Sequence, residues 1–244
     1  MEIFNRSTLK GYFQKGKVPT EVHFSNLIDS TINKIDDGFA KSVENGLKLA
    51  PGGESSKLIS FYDDIKEKTP LWSISVNPSE MAKGLNISEK NDDARLFIQN
   101  GGNVGIGTLS PLHTLDVSGT AGMKSRVGTY QTLNEVSADG EWHIVLDELS
   151  GCHVFEIVAK VEGVAKRGKY AIAHAVAVSA HDGSRNKIRA TNTSYGWFWH
   201  KIRFRWKRVP GDKYRLEMKT GSHYGTDAEN NVIQIQFHIT SLWN

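Results

Sequence analysis

Between Trp197 and Lys207 the chain alternates aromatic and cationic residues in a pattern that could do chemistry. In an extended strand successive side chains point to opposite faces, so Phe198, His200, Ile202, Phe204 and Trp206 would share one face, a core face. Trp197, Trp199, Lys201, Arg203, Arg205 and Lys207 would share the other. Two indoles beside four cations suit stacking on sugar rings with capture of anionic groups, or cation–π packing between strands. The same stripe also suits a solvated sheet edge, or a subunit interface where Asp and Glu answer the cations. Residues 124–244 carry 17 Lys+Arg against 12 Asp+Glu, a net of +5 that is modest beside a nucleic-acid footprint, so no nucleic-acid partner is expected.

Other chemistry finds less support. His174 and His181 lie seven residues apart, His153, His200, His223 and His238 are scattered, and no His-x-His or His-Glu-x-x-His pattern occurs, so no metal site is expected. His143, beside Trp142, reads as a strand residue. Histidines contributed one per chain around a symmetry axis would escape any reading of spacing. Cleaving a glycan needs two carboxylates flanking the scissile bond. The candidates Asp147, Glu148, Glu156, Glu162, Asp182, Asp212, Glu217, Asp227 and Glu229 mostly adjoin turns, and nothing singles out a pair. The lone cysteine, Cys152, reads as a small buried apolar side chain. Its neighbour His153 would point to the opposite face of a strand, against a Cys-His dyad. No catalytic residue and no cofactor is expected.

The elements that would position the stripe are strands. Runs at Trp142–Leu146, His153–Val161, Tyr170–Ser179, Trp197–Val209, Tyr214–Lys219 and Val232–Thr240 are separated by turn signals at Asp139-Gly140, Asp182-Gly183, Pro210-Gly211 and Gly221-Ser222. They predict an antiparallel β-sandwich or jelly roll over 124–244. From 45 to 123 the runs are only about three to six residues long (Leu58–Phe61, Leu71–Val76, Leu85–Ile87, Leu96–Ile98, Val104–Ile106, Leu115–Val117), too thin for a self-sufficient core. Such strands suit an elongated β stalk whose core is completed by neighbouring chains, or else a small sandwich. Residues 1–44 read as a helical attachment segment. Ser7 would cap a short turn through Leu9, Tyr12 and Phe13. Pro19 and Thr20 would start a helix of about 17 residues, its stripe Phe24, Leu27, Ile28, Ile32 and Ile35 ending before Gly38. That stripe needs a partner, whether the preceding turn, another copy or a larger assembly.

Gly102-Asn103-Val104-Gly105-Ile106-Gly107-Thr108-Leu109-Ser110-Pro111, continuing to Leu115-Asp116-Val117-Ser118-Gly119, lacks the third glycine of a dinucleotide fingerprint and the Gly-Lys-Ser/Thr of a phosphate loop. It resembles a motif common in bacteriophage tail fibres and related adhesins, usually just before the distal domain. Ser7 through Pro19-Thr20-Glu21 to Asp29-Ser30 is similar to the start of fibre-like proteins of phages and extracellular contractile injection systems. Gly151 to Trp243 is similar to terminal domains in the same setting. The resemblance implies an elongated homotrimer that docks on baseplate or other particle proteins by its N-terminus. Its distal domain would meet a cell-surface glycan or protein receptor.

Composition fits this setting. At 39% hydrophobic and 23% charged residues the chain is not expected to be disordered. No apolar run is long enough to span a bilayer, and Met1–Arg6 lacks the apolar core of a signal peptide. Synthesis in the bacterial cytoplasm, assembly into a virion tail or extracellular particle and no membrane insertion are the expectations. Residues 1–123 hold 13 Lys+Arg and 15 Asp+Glu, while five of six tryptophans and seven of nine histidines lie beyond, placing a boundary near Gly119-Thr120-Ala121-Gly122. The whole reads as mainly β: a slightly acidic stalk behind a basic, Trp-rich recognition domain, working as a structural, non-enzymatic binding protein. A terminal adaptor or cap, or a glycan-degrading depolymerase, are the alternatives.

Overall fold

The computed structural model describes residues 4–33, 37–131, 133–164, 168–181 and 185–243. The chain is mainly β, built from several largely antiparallel sheets and two short helices. It divides into two compact units, Met1–Gly122 and Met123–Asn244.

The first unit opens with α1 (Arg6–Tyr12) and α2 (Glu21–Asp29). Asn5 rather than Ser7 caps α1, its side-chain oxygen accepting the Thr8 N–H at 2.9 Å. The second helix is nine residues, shorter than the apolar spacing predicts, because Ser30 and Thr31 close it with turn hydrogen bonds. Ile32 therefore lies beyond the helix and is exposed; Ile35 lies outside the described residues. The two helices meet through aromatics: Phe13 packs edge-on to Phe24 at 5.5 Å and Tyr12 stacks on His23 at 4.1 Å. Leu27 is half-buried, while Phe24 and Ile28 remain more than half exposed. A hairpin of β1 (Phe39–Ser42) and β2 (Gly46–Leu49) follows.

Six strands then form one sheet in chain order: β3 (Lys57–Phe61), β4 (Trp72–Val76), β5 (Gly84–Glu89), β6 (Asp93–Gln99), β7 (Val104–Ile106) and β8 (Leu115–Val117). All neighbours are antiparallel except β7 and β8. The glycine-rich segment builds this parallel end. Gly107 takes a positive φ of 71° and Asn103 Nδ2 donates to the Pro111 carbonyl at 3.3 Å, turning the chain back without a helix. The register lines up Ile59, Ile74, Ile87, Leu96, Ile106 and Val117 as one aliphatic row across all six strands. A second row runs Val76, Leu85, Ile98, Val104 and Leu115 on the same face. The opposite face, mostly small and polar around the one large side chain Phe97, is the buried one: Ser73, Ser75, Asn86, Ser88 and Phe97 are each 3% exposed or less.

The second unit has a five-stranded sheet and a three-stranded sheet. The larger contains β9 (Glu135–Ser137), β11 (His153–Glu162), β12 (Tyr170–Ser179), β13 (Lys187–Tyr195) and β16 (Gln234–Ser241), in the order β13-β12-β11-β16-β9. The smaller contains β10 (His143–Leu149), β14 (Ile202–Val209) and β15 (Lys213–Thr220), in the order β10-β15-β14. One core cluster draws on both: alternate residues Phe155, Ile157, Ala159 and Val161 from β11, and Tyr214, Leu216 and Met218 from β15. Four alternating alanines (Ala171, Ala173, Ala175, Ala177) line the inner face of β12. Sequence alternation missed β13, whose Lys-Ile-Arg-Ala-Thr-Asn-Thr-Ser-Tyr run presents little apolar surface. The proposed Asp182-Gly183 turn lies outside the described residues.

Candidate functional site

The alternation from Trp197 to Lys207 does not form one strand. Gly196 has φ of 91°, and a Cβ there would meet the Gly168 carbonyl oxygen at 2.8 Å and His200 Nδ1 at 3.0 Å, so the chain turns sharply. Phe198–His200 then forms a 3-10 turn, with the imidazole of His200 buried and within 3.2 Å of the Tyr195 carbonyl oxygen. Trp197 and Trp199 consequently stack on each other, centroids 4.8 Å apart and planes 6° off parallel, instead of lining up with the cations. Phe198 is exposed rather than core and packs edge-on to Trp199. Lys201 is exposed just before β14, its carbonyl accepting the Gly221 N–H.

From Ile202 onward the strand exists, and alternation places Arg203, Arg205 and Lys207 on one face as the spacing predicts. Pairing with β15 sets them opposite Lys219, Glu217 and Arg215. With Lys213 on the same side, this face gathers six cations against three carboxylates, Asp147, Glu148 and Glu217.

The charges are not equally available. Glu217 is 3% exposed, and Arg205 closes on its Oε2 through Nε at 2.7 Å and a terminal nitrogen at 2.6 Å. A carboxylate this buried needs such a partner, so Arg205 is a structural counter-ion. Lys207 lies 3.9 Å from the other carboxylate oxygen. Arg215 faces Asp147 at 3.5 Å and Lys213 faces Glu148 at 3.4 Å. Arg203 enters no ion pair among the described residues and is exposed. The aromatic member is one that alternation did not single out: the Arg205 guanidinium lies 4.1 Å from the Trp142 ring centroid and Lys219 Nζ 5.0 Å from it. Trp142 precedes β10, and pairing of β10 with β15 brings it there; only knowledge of that pairing could have found it. Arg203, with no ion pair among the described residues, Lys207, only loosely paired with Glu217, and Lys219 with Trp142 are thus the groups best placed to meet an anionic partner, with the stacked tryptophans on the turn leading into β14.

The remaining carboxylates have local work. Glu156 is held by Arg126 and by His174 at 3.0 Å, Glu162 by Lys160 at 3.2 Å, and His143 contacts Asp139 at 2.8 Å. Burial alone would raise the Asp139 carboxyl pKa, but the His143 hydrogen bond and the Glu141 N–H hold it below the ordinary range. Backbone donation from Asn231, joined by that from Glu229, lowers Asp227. Asp212 takes a positive φ beside Gly211 in the β14–β15 turn, and Asp182 lies outside the described residues. Cys152 is exposed, contrary to expectation, because it follows the Gly151 turn ahead of β11; its thiol donates to the Ala180 carbonyl at 2.9 Å. His153 instead contacts the Ser150 carbonyl and stacks on Phe155 at 5.3 Å. Among the described residues no cluster of three or more His, Cys, Asp or Glu could hold a metal. No protein-family model and no curated protein matches the sequence, so the functional reading rests on the site's own geometry and on the motif resemblance.

Proposed function

We propose that the chain is a non-enzymatic, fibre-like structural component of a phage tail or contractile injection particle. It docks by its N-terminal helices, assembles as a homotrimer, and recognises an anionic glycan surface through its second unit, an antiparallel β-sandwich. The cationic face of the β10-β15-β14 sheet carries the recognition reading. Six cations meet only three carboxylates there, and a tryptophan lies under two of the cations. The Gly-Asn-Val-Gly-Ile-Gly-Thr resemblance supports the particle setting, and the exposed Phe24 and Ile28 support docking by the helices.

Retention on a sulfated-polysaccharide matrix tests the site. The protein is expected to bind and to elute with salt. The triple variant Arg203→Gln/Lys207→Gln/Lys219→Gln should elute at clearly lower salt with its far-UV spectrum unchanged, because none of the three is the main partner of Glu217. Glu217→Gln should do the reverse. It frees Arg205 and removes a negative charge, raising the elution salt while costing roughly 1–2 kcal/mol of stability, since both cationic partners reach water. Unchanged retention of the triple variant would move recognition elsewhere, and shortening of the polysaccharide chains would mark a depolymerase.

A further inference from the structure

The two units differ in a way their sizes do not explain. Among the described residues the second unit buries 21 apolar residues in one cluster; the first buries three, Leu9, Ala82 and Phe97. Burying a large apolar side chain contributes about 1.5–3 kcal/mol, so three cannot offset the ordering of more than a hundred residues. Meanwhile the sheet of the first unit has its faces inverted relative to an ordinary half-buried sheet. The face of Ser73, Ser75, Asn86, Ser88 and Phe97 is the closed one, with Ser73 Oγ bonded to Ser88 Oγ at 2.8 Å and Asn86 Nδ2 donating to Ser75 Oγ at 3.4 Å. The aliphatic face is the open one: Ile59, Trp72, Leu85, Ile98, Ile106 and Leu115, one from each strand, are between 39% and 59% exposed.

We infer that this aliphatic face is where copies of the chain join, each sheet supplying one wall of a shared core. The inference rests on the homo-oligomeric reading above and assigns its surface. Those six side chains alone leave roughly 500 Å2 of apolar surface in water, a large part of the ~800 Å2 per partner that a stable interface uses. The two aliphatic rows supply more. Two of the charge pairs at the rim close within the chain: Glu89 holds Arg95 at 2.6 Å and Lys57 holds Asp92 at 2.9 Å. Identical aliphatic rows are self-complementary in chemistry, and a polar rim around an apolar centre is the layout of a subunit interface.

Light scattering on the full chain at about 10 μM tests this, with a mass of three times 27.1 kDa expected. Leu85 and Ile98 are directly paired across β5 and β6, so Leu85→Glu with Ile98→Lys keeps an attractive pair inside the chain while charging the face. That variant should lose at least a hundredfold in association and run near 27.1 kDa. A second measurement stands if the variant folds poorly. In a Cys152→Ser background, Leu85→Cys should react with maleimide at least tenfold more slowly than Lys83→Cys, which lies on an exposed residue nearby. A monomeric wild type overturns both this inference and the trimer. A multimer in which the charged pair has no effect, or in which Leu85→Cys reacts as fast as Lys83→Cys, overturns only the assigned face. Retention of the Arg203→Gln/Lys207→Gln/Lys219→Gln variant, whose first unit is unchanged, reads the recognition site separately.

Discussion

Arg205 and Tyr224 show how one side chain's surroundings decide what it can do. Arg205 carries the same charge as Arg203 two residues away, yet its guanidinium is committed to a buried carboxylate and a tryptophan ring, and Arg203 is left to the solvent. Tyr224 is 2% exposed and its hydroxyl donates to the His200 carbonyl at 2.5 Å, tying the 3-10 turn to the core. Burial pushes its pKa up to about 12. An unfolded tyrosine ionises near 10, so this group's stabilisation is fully present below about pH 10 and is lost as pH rises towards 12. The loss is on the order of 2–3 kcal/mol. The wild-type denaturant midpoint should therefore fall steeply between those values. Tyr224→Phe, less stable at pH 7 by about 1–2 kcal/mol for the lost hydrogen bond, should show a flatter alkaline limb. Equal alkaline slopes in the two proteins would show that Tyr224 is not the titrating group.

At the scale of elements, Gly196 decides whether the tryptophans belong to a strand or to a turn. Its positive φ and the crowding a Cβ would meet predict that Gly196→Ala costs about 2 kcal/mol and loosens the turn. The stacked Trp197–Trp199 pair should give an exciton signal in circular dichroism that weakens in this variant, while the strand signal persists. An unchanged signal would mean that the turn holds without Gly196. Period-two alternation reads correctly wherever both neighbours of a residue are also in a strand, as for Arg203, Arg205 and Lys207. It continues falsely through Trp197 and Trp199 because a 3-10 turn of aromatic residues carries the same letters as a strand. It passes over β13 because polar side chains on both faces leave no pattern to read. Trp142, Glu217 and Lys219 join the site through strand pairing, which is a property of distant segments and not of local spacing. The short strands of the middle segment were legible, whereas their burial, with the face of Ser73, Ser75, Asn86, Ser88 and Phe97 closed and the aliphatic face open, required the register.

For the whole molecule, the contrast between 21 buried apolar residues in one unit and three in the other, among the described residues, sets how it should unfold. The second unit holds enough core to melt by itself, so its midpoint should not depend on protein concentration. On the proposed assembly through its aliphatic face, the first unit should melt in a separate transition governed by mass action. For a trimer, a tenfold rise in concentration contributes about 0.9 kcal/mol per chain, which over a unit of this size moves the midpoint by roughly 3–4 °C. Calorimetry at two concentrations separates the cases, and the Leu85→Glu/Ile98→Lys variant should lose the concentration-dependent transition while keeping the other. A single concentration-independent melt for the wild type would mean that the first unit is stabilised within its own chain. The same proposed assembly bears on the proposed recognition, because three cationic faces on one trimer can exceed a single face by ~10²–10⁴-fold on a dense anionic surface. Disassembly through the first unit should therefore weaken surface binding even with every residue of the second unit unchanged.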